Sequence, residues 1–381
     1  MMKKTLITAA ILLPLSANAS LSDARSAGMG GVGAASADYM TASFHNPALA
    51  AAHTAKDDFG LLLPSVGVRG RDGDSIYDKI TTFQDAFEAF EQDPTDPANK
   101  EKWQKALKDL DNATIDVDIS AGASIAIPNK FVSTNFFTKA EAVTLAIAQV
   151  DESDFDIDHP SDKIMSTAHG VSGATLDVGF TFAKEFKISK SLPVKVGISP
   201  KFQQLYTINY KNTVEGFDKD DFDFENEFEK TSGFNIDAGV SYNLTKNVRF
   251  GFYGKNLIAQ DIETNESLGT KATYQVEPEY KAGLAYNSRL YSLALDVDLN
   301  ERKYFKEYKY STQSVRAGGE LNAWDWAQLR VGYIHSLTDH QDDLITAGIG
   351  LKPFGVFGLD LAGQYGKDNN FGASAQMVFQ F

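Results

Sequence analysis

From Thr114 onward the chain alternates between two kinds of position. In Thr114–Ile127 the odd places hold Ile115, Val117, Ile119, Ala121, Ala123, Ile125 and Ile127; the even ones hold Thr114, Asp116, Asp118, Ser120, Gly122, Ser124 and Ala126. A period of two sends successive side chains to opposite faces of a strand. The alternation returns in Leu176–Phe182, Val194–Ile208, Phe234–Asn243, Val248–Phe252, Val276–Tyr286 and Tyr291–Leu299. It continues near Gln313–Leu321, Trp326–His335, Leu344–Leu351, Val356–Tyr365 and Phe371–Phe381. With Phe59–Val68 ahead of these and a weakly patterned stretch near Phe131–Val150, about fourteen strands are expected, each near the 9–11 residues that carry a tilted strand across a bilayer.

The connections select the architecture. Pro128–Lys130, Lys187–Leu192, Leu244–Asn247, Asn287–Arg289, Asn322–Asp325 and Lys352–Gly355 are short. They alternate with long polar links at Arg69–Ala113, Asp151–Gly173, Lys211–Ser232, Leu257–Tyr274, Asn300–Thr312 and Ser336–Asp343; only Gly366–Asn370 is short where a long one is due. Membrane barrels have short periplasmic turns and longer outer loops. A soluble sandwich would cap its apolar face with a second sheet. Here each patterned strand sets a face of Leu, Val, Phe and Tyr against one of charge, Gly and Ser. The expected fold is all-β, a transmembrane antiparallel β-barrel of about 14 strands occupying residues 56–381.

Two stretches depart from the alternation. Ile76, Ile80, Phe83, Phe87 and Phe90, and then Trp103, Ala106, Leu107 and Leu110, recur at helical spacing, with Asp93-Pro94-Thr95-Asp96-Pro97 between them. This predicts a helical hairpin at about 74–112, in the first outer loop. The other is Ser22–Ala52, rich in Gly and Ala, within a hatch or plug segment expected over residues 20–55. Gly28, Gly30, Gly31 and Gly33 permit close backbone packing, and Asn46-Pro47-Ala48 imposes a bend. These seven residues are the candidates for hatch seating or gating. Gly28–Gly33 also has the G-x-G-x-x-G spacing of a dinucleotide-binding turn, but no strand precedes it, so a nucleotide site is not expected.

The residues ahead of the hatch read as a leader. Met1-Met2-Lys3-Lys4, an apolar run from Leu6 to Leu15, and Ala17-Asn18-Ala19 are the parts of a signal peptide over residues 1–19. No later window is apolar enough for a membrane-spanning helix, which leaves a closed barrel as the membrane structure. The formal charge of −15 disfavours nucleic acid as a partner, and the absence of Cys removes disulfides and thiolate metal sites.

Candidate chemistry is sparse. The polar strand faces carry Asp116, Asp118, Asp177, Lys195, Lys201, Asp237, Arg249, Glu277, Glu279, Lys281, Asp296, Asp298, Arg316, Glu320, Arg330 and Asp360. Both signs are present, so ion pairs across a plugged or constricted lumen are expected. The carboxylate runs Asp151–Asp158 and Asp218–Glu225 lack the spacing and Gly of a Ca²⁺ loop and read as solvated outer loops. Six histidines, His45, His53, His159, His169, His335 and His340, supply no dyad, because His335 and Ser336 point to opposite faces of one strand. No catalytic residue, metal or cofactor is expected. Phe83, Phe87, Phe90, Trp103 and Leu107 are the candidates for a ligand groove, against the plainer expectation that they pack the hairpin.

The GMGGVGAASAD run, the Phe-His-Asn-Pro-Ala turn at Phe44–Ala48 and the aromatic C-terminus resemble the FadL-type hydrocarbon transporters of Gram-negative outer membranes. Within that group the chain is most similar to exported barrel proteins labelled TraF-like, after conjugal transfer. The resemblance implies an outer-membrane location, a hatch folded into the lumen, and Phe379 and Phe381 as the signal read by the barrel assembly machinery. It implies contact with lipid and lipopolysaccharide, and passive uptake of a hydrophobic, fatty-acid-like molecule. The alternative is a non-transporting envelope anchor or assembly component of a conjugation or secretion apparatus. An apolar tunnel or side opening beside Asn46–Ala48 would favour uptake; a lumen filled with paired charges would favour the anchor.

Overall fold

The computed structural model describes residues 22–73, 75–157, 163–189, 192–217, 228–324, 326–339, 341–367 and 369–381. The expected leader at 1–19, the start of the hatch segment, the Asp218–Glu225 run, His159 and His340 lie outside them. Strands β1 (Gly60–Arg71), β2 (Thr114–Ile127), β3 (Ser133–Gln149), β4 (Thr167–Ser189), β5 (Leu192–Thr213), β6 (Glu229–Asn243) and β7 (Val248–Lys255) form one half of a wall. After β8 (Gln260–Glu263) and β9 (Thr273–Val276), the wall resumes with β10 (Glu279–Asn287) and β11 (Tyr291–Asp298). After β12 (Arg302–Lys303) and β13 (Ser311–Thr312), it is completed by β14 (Ser314–Trp324), β15 (Ala327–Ser336), β16 (Leu344–Leu351), β17 (Phe357–Gly366) and β18 (Asn370–Gln380).

Fourteen of these strands close into an antiparallel barrel in chain order, with β8–β9 and β12–β13 left outside the wall as two small ribbons. β18 returns to β1, setting Gly60 opposite Gln380 and Gly70 opposite Phe371. Closure pairs the backbone all round and leaves no open edge. Short turns gather at one end and long links at the other, with 367–369 the single short link at the loop end, as the spacing predicts.

The faces are the reverse of a soluble sandwich. In β11 the buried positions include Ser292, Asp296 and Asp298, and Tyr291, Leu293 and Leu295 are exposed. In β15 Gln328 and Arg330 are buried, and Leu329, Val331 and Tyr333 are exposed. Charge therefore lies inside and a belt of Leu, Val and aromatic residues outside, the arrangement that suits surrounding lipid. Trp324 and Trp326 stack at 5.9 Å at the turn-end rim.

β4 and β5 are 23 and 22 residues long, about twice what the wall requires. Together with β3 they support the helices Ile76–Gln92 and Pro97–Leu110, whose apolar face packs on Ala148, Ala168 and Val214. Pro97 opens the second helix, and Asp96 caps it by accepting the Ala98 amide at 2.9 Å. The two ribbons complete the cover. They meet at the Tyr274–Phe305 bridge, and Val143, Leu145, Val171 and Leu205 pack beneath them. The sequence pattern places only loops there, because segments of two to four residues are too short for a period to register.

Candidate functional site: the lumen and its hatch

Ser22–Ala52 lies inside the barrel, and nearly all of it is buried. A single helical turn, Ala24–Gly28, opens it, capped by Asp23, which accepts the Ser26 amide at 3.2 Å. Gly30 and Gly31 turn the chain at φ of 74° and 80°. Those left-handed values favour glycine, because a Cβ there crowds the following carbonyl. A 3-10 turn at Ala42–Phe44 and another at Pro47–Ala51 follow.

The hatch is fastened through polar and apolar contacts. The amides of Gly33 and Ala34 donate to Asp296 at 2.7 and 2.8 Å. The Gly30 amide donates to Thr346 Oγ1 at 2.9 Å, and that hydroxyl donates to the Gly28 carbonyl. Asn46 Nδ2 donates to the carbonyls of Ala34 (2.8 Å) and Val240 (3.1 Å), while its Oδ1 accepts the Ala48 amide. Ser43 Oγ meets Thr181 Oγ1 at 2.8 Å. On the turn side Arg25 donates two hydrogen bonds to Glu320, at 2.9 and 3.1 Å; Arg330 bridges Glu320 to Asp360. Apolar contacts join Tyr39, Met40 and Phe44 to Leu62, Ala126, Phe137 and Val378 of the wall, and smaller ones set Ala27 on Ile334 and Leu344, Met29 and Val32 on Ala285 and Ala294, and Leu49 and Ala50 beside Ala183.

Wall glycines make this seating possible. A Cβ on Gly251 would fall 1.8 Å from the Ala34 carbonyl oxygen, and one on Gly197 would fall 2.3 Å from the Pro47 carbonyl carbon. Within the hatch, Gly28 lies against Gly348 and Gly33 lies under the His45 ring. The hatch glycines are legible as close-packing residues in the sequence. Their partners in the wall are not, because a glycine on a lumen face looks like any other small polar position.

His45 Nε2 and Asp23 Oδ2 are 3.0 Å apart, both fully buried within the hatch. Burial drives the His45 ring below its ordinary value and outweighs the opposing pull of Asp23; the charges of Lys255 and Lys139 push it the same way. For Asp23 burial acts upward, but the His45 hydrogen bond, the charges of His45 and Arg25 and the Ser26 amide together hold its carboxyl below the ordinary value.

Two polar cavities flank the hatch. On the loop side a space of about 80 Å³ is bounded by Gly31, Ser43 and His45 of the hatch and by charged wall residues. Its ion pairs are Lys139–Glu141 (2.7 Å), Lys201 with Asp177 and Asp237 (2.9 and 3.0 Å), Arg302–Glu279 (3.3 Å), and Asp298 between Lys281 and Arg316 (3.1 and 2.6 Å). On the turn side a space of about 380 Å³ is bounded by Arg25, Tyr39, Asp57, Arg249 and Gln328 among others. Lys139, Glu141, Lys255 and Arg302 escape the sequence pattern. The first two fall in the weakly patterned strand, Lys255 ends a short one, and Arg302 comes from a ribbon.

The remaining candidates are placed plainly. Phe83, Phe90, Trp103 and Leu107 are fully buried and Phe87 nearly so. Phe83 stacks on Phe87 at 5.7 Å, with Trp103 edge-on to both. Protein fills the space where a groove is expected. Phe379 packs on Phe357, and the Phe381 amide donates to the Phe59 carbonyl at 2.9 Å. Ser336 Oγ bonds the Thr338 carbonyl, and His335 bonds Asp343. Among the described residues no cluster of acidic and histidine side chains suits a metal ion.

The sequence profile of the family described as "F plasmid transfer operon, TraF, protein" matches residues 43–298. No curated protein matches the chain. Among solved structures, a TodX deltaS2S3 mutant monoaromatic hydrocarbon channel has a TM-score of 0.55 at 11% identity, covering 94% of this chain and 98% of its own. The Ralstonia pickettii toluene transporter TbuX has 0.55 at 12% identity, covering 96% and 98%. The P. putida toluene transporter TodX has 0.52 at 11% identity, covering 96% and 99%. At such identities the likeness establishes a shared fold.

Proposed function

The chain belongs to the family described as "F plasmid transfer operon, TraF, protein", and from that membership and its lumen we propose that it is an outer-membrane barrel passing small molecules passively through a hatch-gated interior. One observation carries this. Two polar cavities lie inside the barrel, each bounded in part by the hatch, and beside small apolar contacts many of the hatch's fastenings are hydrogen bonds and ion pairs. Water can replace such contacts at a net cost of about 1 kcal/mol each, so the partition can shift without unfolding a core. An outer-membrane location agrees with the apolar outer belt, with the fold shared with TodX and TbuX, and with the expected leader.

A fatty-acid-like cargo has less in its favour. The loop-side cavity is lined by ionised groups, and the apolar side chains of the interior pack into closed clusters. The long apolar chain of such a molecule would strip water from charges there and return no hydrogen bond. The second reading, a closed envelope anchor or assembly component, draws on the paired carboxylates of that cavity and on the helices and ribbons across the loop end.

Lack of native Cys makes a clean test. Ser43→Cys with Thr181→Cys replaces a 2.8 Å hydroxyl contact between hatch and wall with a disulfide that pins the hatch. In proteoliposomes the reduced variant should admit lactate or lactamide faster than protein-free vesicles, and oxidation should abolish the difference. No influx above protein-free vesicles in either state favours the anchor.

A further inference from the structure

The loop-side cavity holds one cation more than its carboxylates can pair. Glu141, Asp177, Asp237, Glu279 and Asp298 each have a lysine or arginine partner. Lys255 has none among the described residues. Its ammonium lies over the Tyr253 ring and donates to the backbone carbonyl of Phe44, in the hatch. Burial and the like charges of Lys139 and Lys281 act against its charge; Glu141 and Glu279 favour it, but these two acids are already held by Lys139 and Arg302.

An ammonium bonded to a neutral carbonyl prefers a carboxylate when one is offered. A hydrogen bond with both partners charged is roughly twice as strong as one between neutral groups. We propose that the loop-side cavity is a recognition site for small carboxylate-bearing solutes, with Lys255 as the residue that reads the charge. The same contact loosens the hatch, because a solute carboxylate replaces the Phe44 carbonyl as acceptor and removes one of the contacts that hold the turn Ala42–Phe44 to the wall. The cavity of about 80 Å³ holds several waters, at about 10–15 Å³ each, that a carboxylate headgroup can displace. This inference rests on the channel reading and narrows its cargo.

Full-length protein in phosphatidylcholine vesicles, with lactate, lactamide and 1-amino-2-propanol at neutral pH, tests it using three solutes of one size and different charge. Lactate influx above protein-free vesicles should exceed that of the other two by about tenfold, the ratio that one charge-assisted hydrogen bond supplies. Lys255→Gln keeps a donor for Phe44 and removes the charge, so it should lose the preference; Lys255→Arg should retain it. Lactate should also lower the yield of the Ser43→Cys/Thr181→Cys disulfide in the variant that carries Lys255, and leave the yield unchanged with Lys255→Gln. Equal influx of all three solutes, or an undiminished lactate preference in Lys255→Gln, overturns the assignment while leaving the channel standing. Influx of none of them overturns the channel itself.

Discussion

Asn46 ties the hatch both to itself and to the wall. Its amide fixes two carbonyls, one in the hatch and one in β6, and its oxygen caps the turn that follows. Asn46→Ala leaves the Ala34 and Val240 carbonyls without that donor, at about 1–3 kcal/mol. Hatch seating should weaken while the wall is spared. Limited proteolysis between Ser22 and Ala52 should accelerate by about fivefold to a hundredfold, since about 1.4 kcal/mol corresponds to a factor of ten, and the barrel's heat-modifiable gel mobility should not change.

The His45–Asp23 contact gives the hatch a pH dependence of definite sign. Both groups have folded values below their unfolded ones, ordinarily 6.5 for His45 and 3.8 for Asp23. The unfolded hatch therefore binds more protons, and stability rises with pH. Their contribution is complete above about pH 6.5 and falls below it, as the unfolded chain's histidine takes up a proton that the folded His45 resists; Asp23 adds a second loss under pH 3.8 in the same way. Maleimide labelling of a lone Ser43→Cys should quicken as pH falls from 7 towards 5, after correction for thiolate fraction, and His45→Gln should flatten that rise.

Among the elements, the helical hairpin matches its sequence pattern closely. Helical spacing, the Asp-Pro stop and the apolar stripe all point to two packed helices, and Ile76–Gln92 and Pro97–Leu110 pack as the spacing predicts. What the stripe faces could not be read from the pattern. Periodicity gives the apolar face, while its partners Ala148, Ile157, Ile164, Ala168 and Val214 come from β3, β4, the link between them and the residue after β5. Trp103→Ala should cost about 3–5 kcal/mol locally. Hydrogen exchange should accelerate across both helices and stay slow in β10–β18. Were the aromatic cluster a ligand groove, the same variant would alter solute influx more than it alters local exchange.

At the scale of the whole molecule, wall and hatch are held by different forces. A closed ladder of backbone hydrogen bonds holds the wall, and individual hydrogen bonds, ion pairs and small apolar contacts hold the plug. In urea the two should separate. The Ser43→Cys thiol should become reactive at a denaturant concentration well below that at which the barrel loses its heat-modifiable mobility. Coincident transitions would mean that hatch and wall form one cooperative unit and that the partition does not move alone.

The sequence by itself determined the barrel. An alternating pattern repeated along most of the chain, with turns and loops in strict succession, admits few other solutions, because register and face follow from a period of two. It also determined that Ser22–Ala52 lacks a core of its own and that the lumen carries both signs of charge. Only the tertiary structure decided which charges pair, that Gly197 and Gly251 stand where the hatch needs them, and that two ribbons complete the cover. The physical reason is distance along the chain. Strand faces are set by near neighbours, whereas Arg25 with Glu320 and Lys255 with Phe44 are joined only when fourteen strands close on a plug.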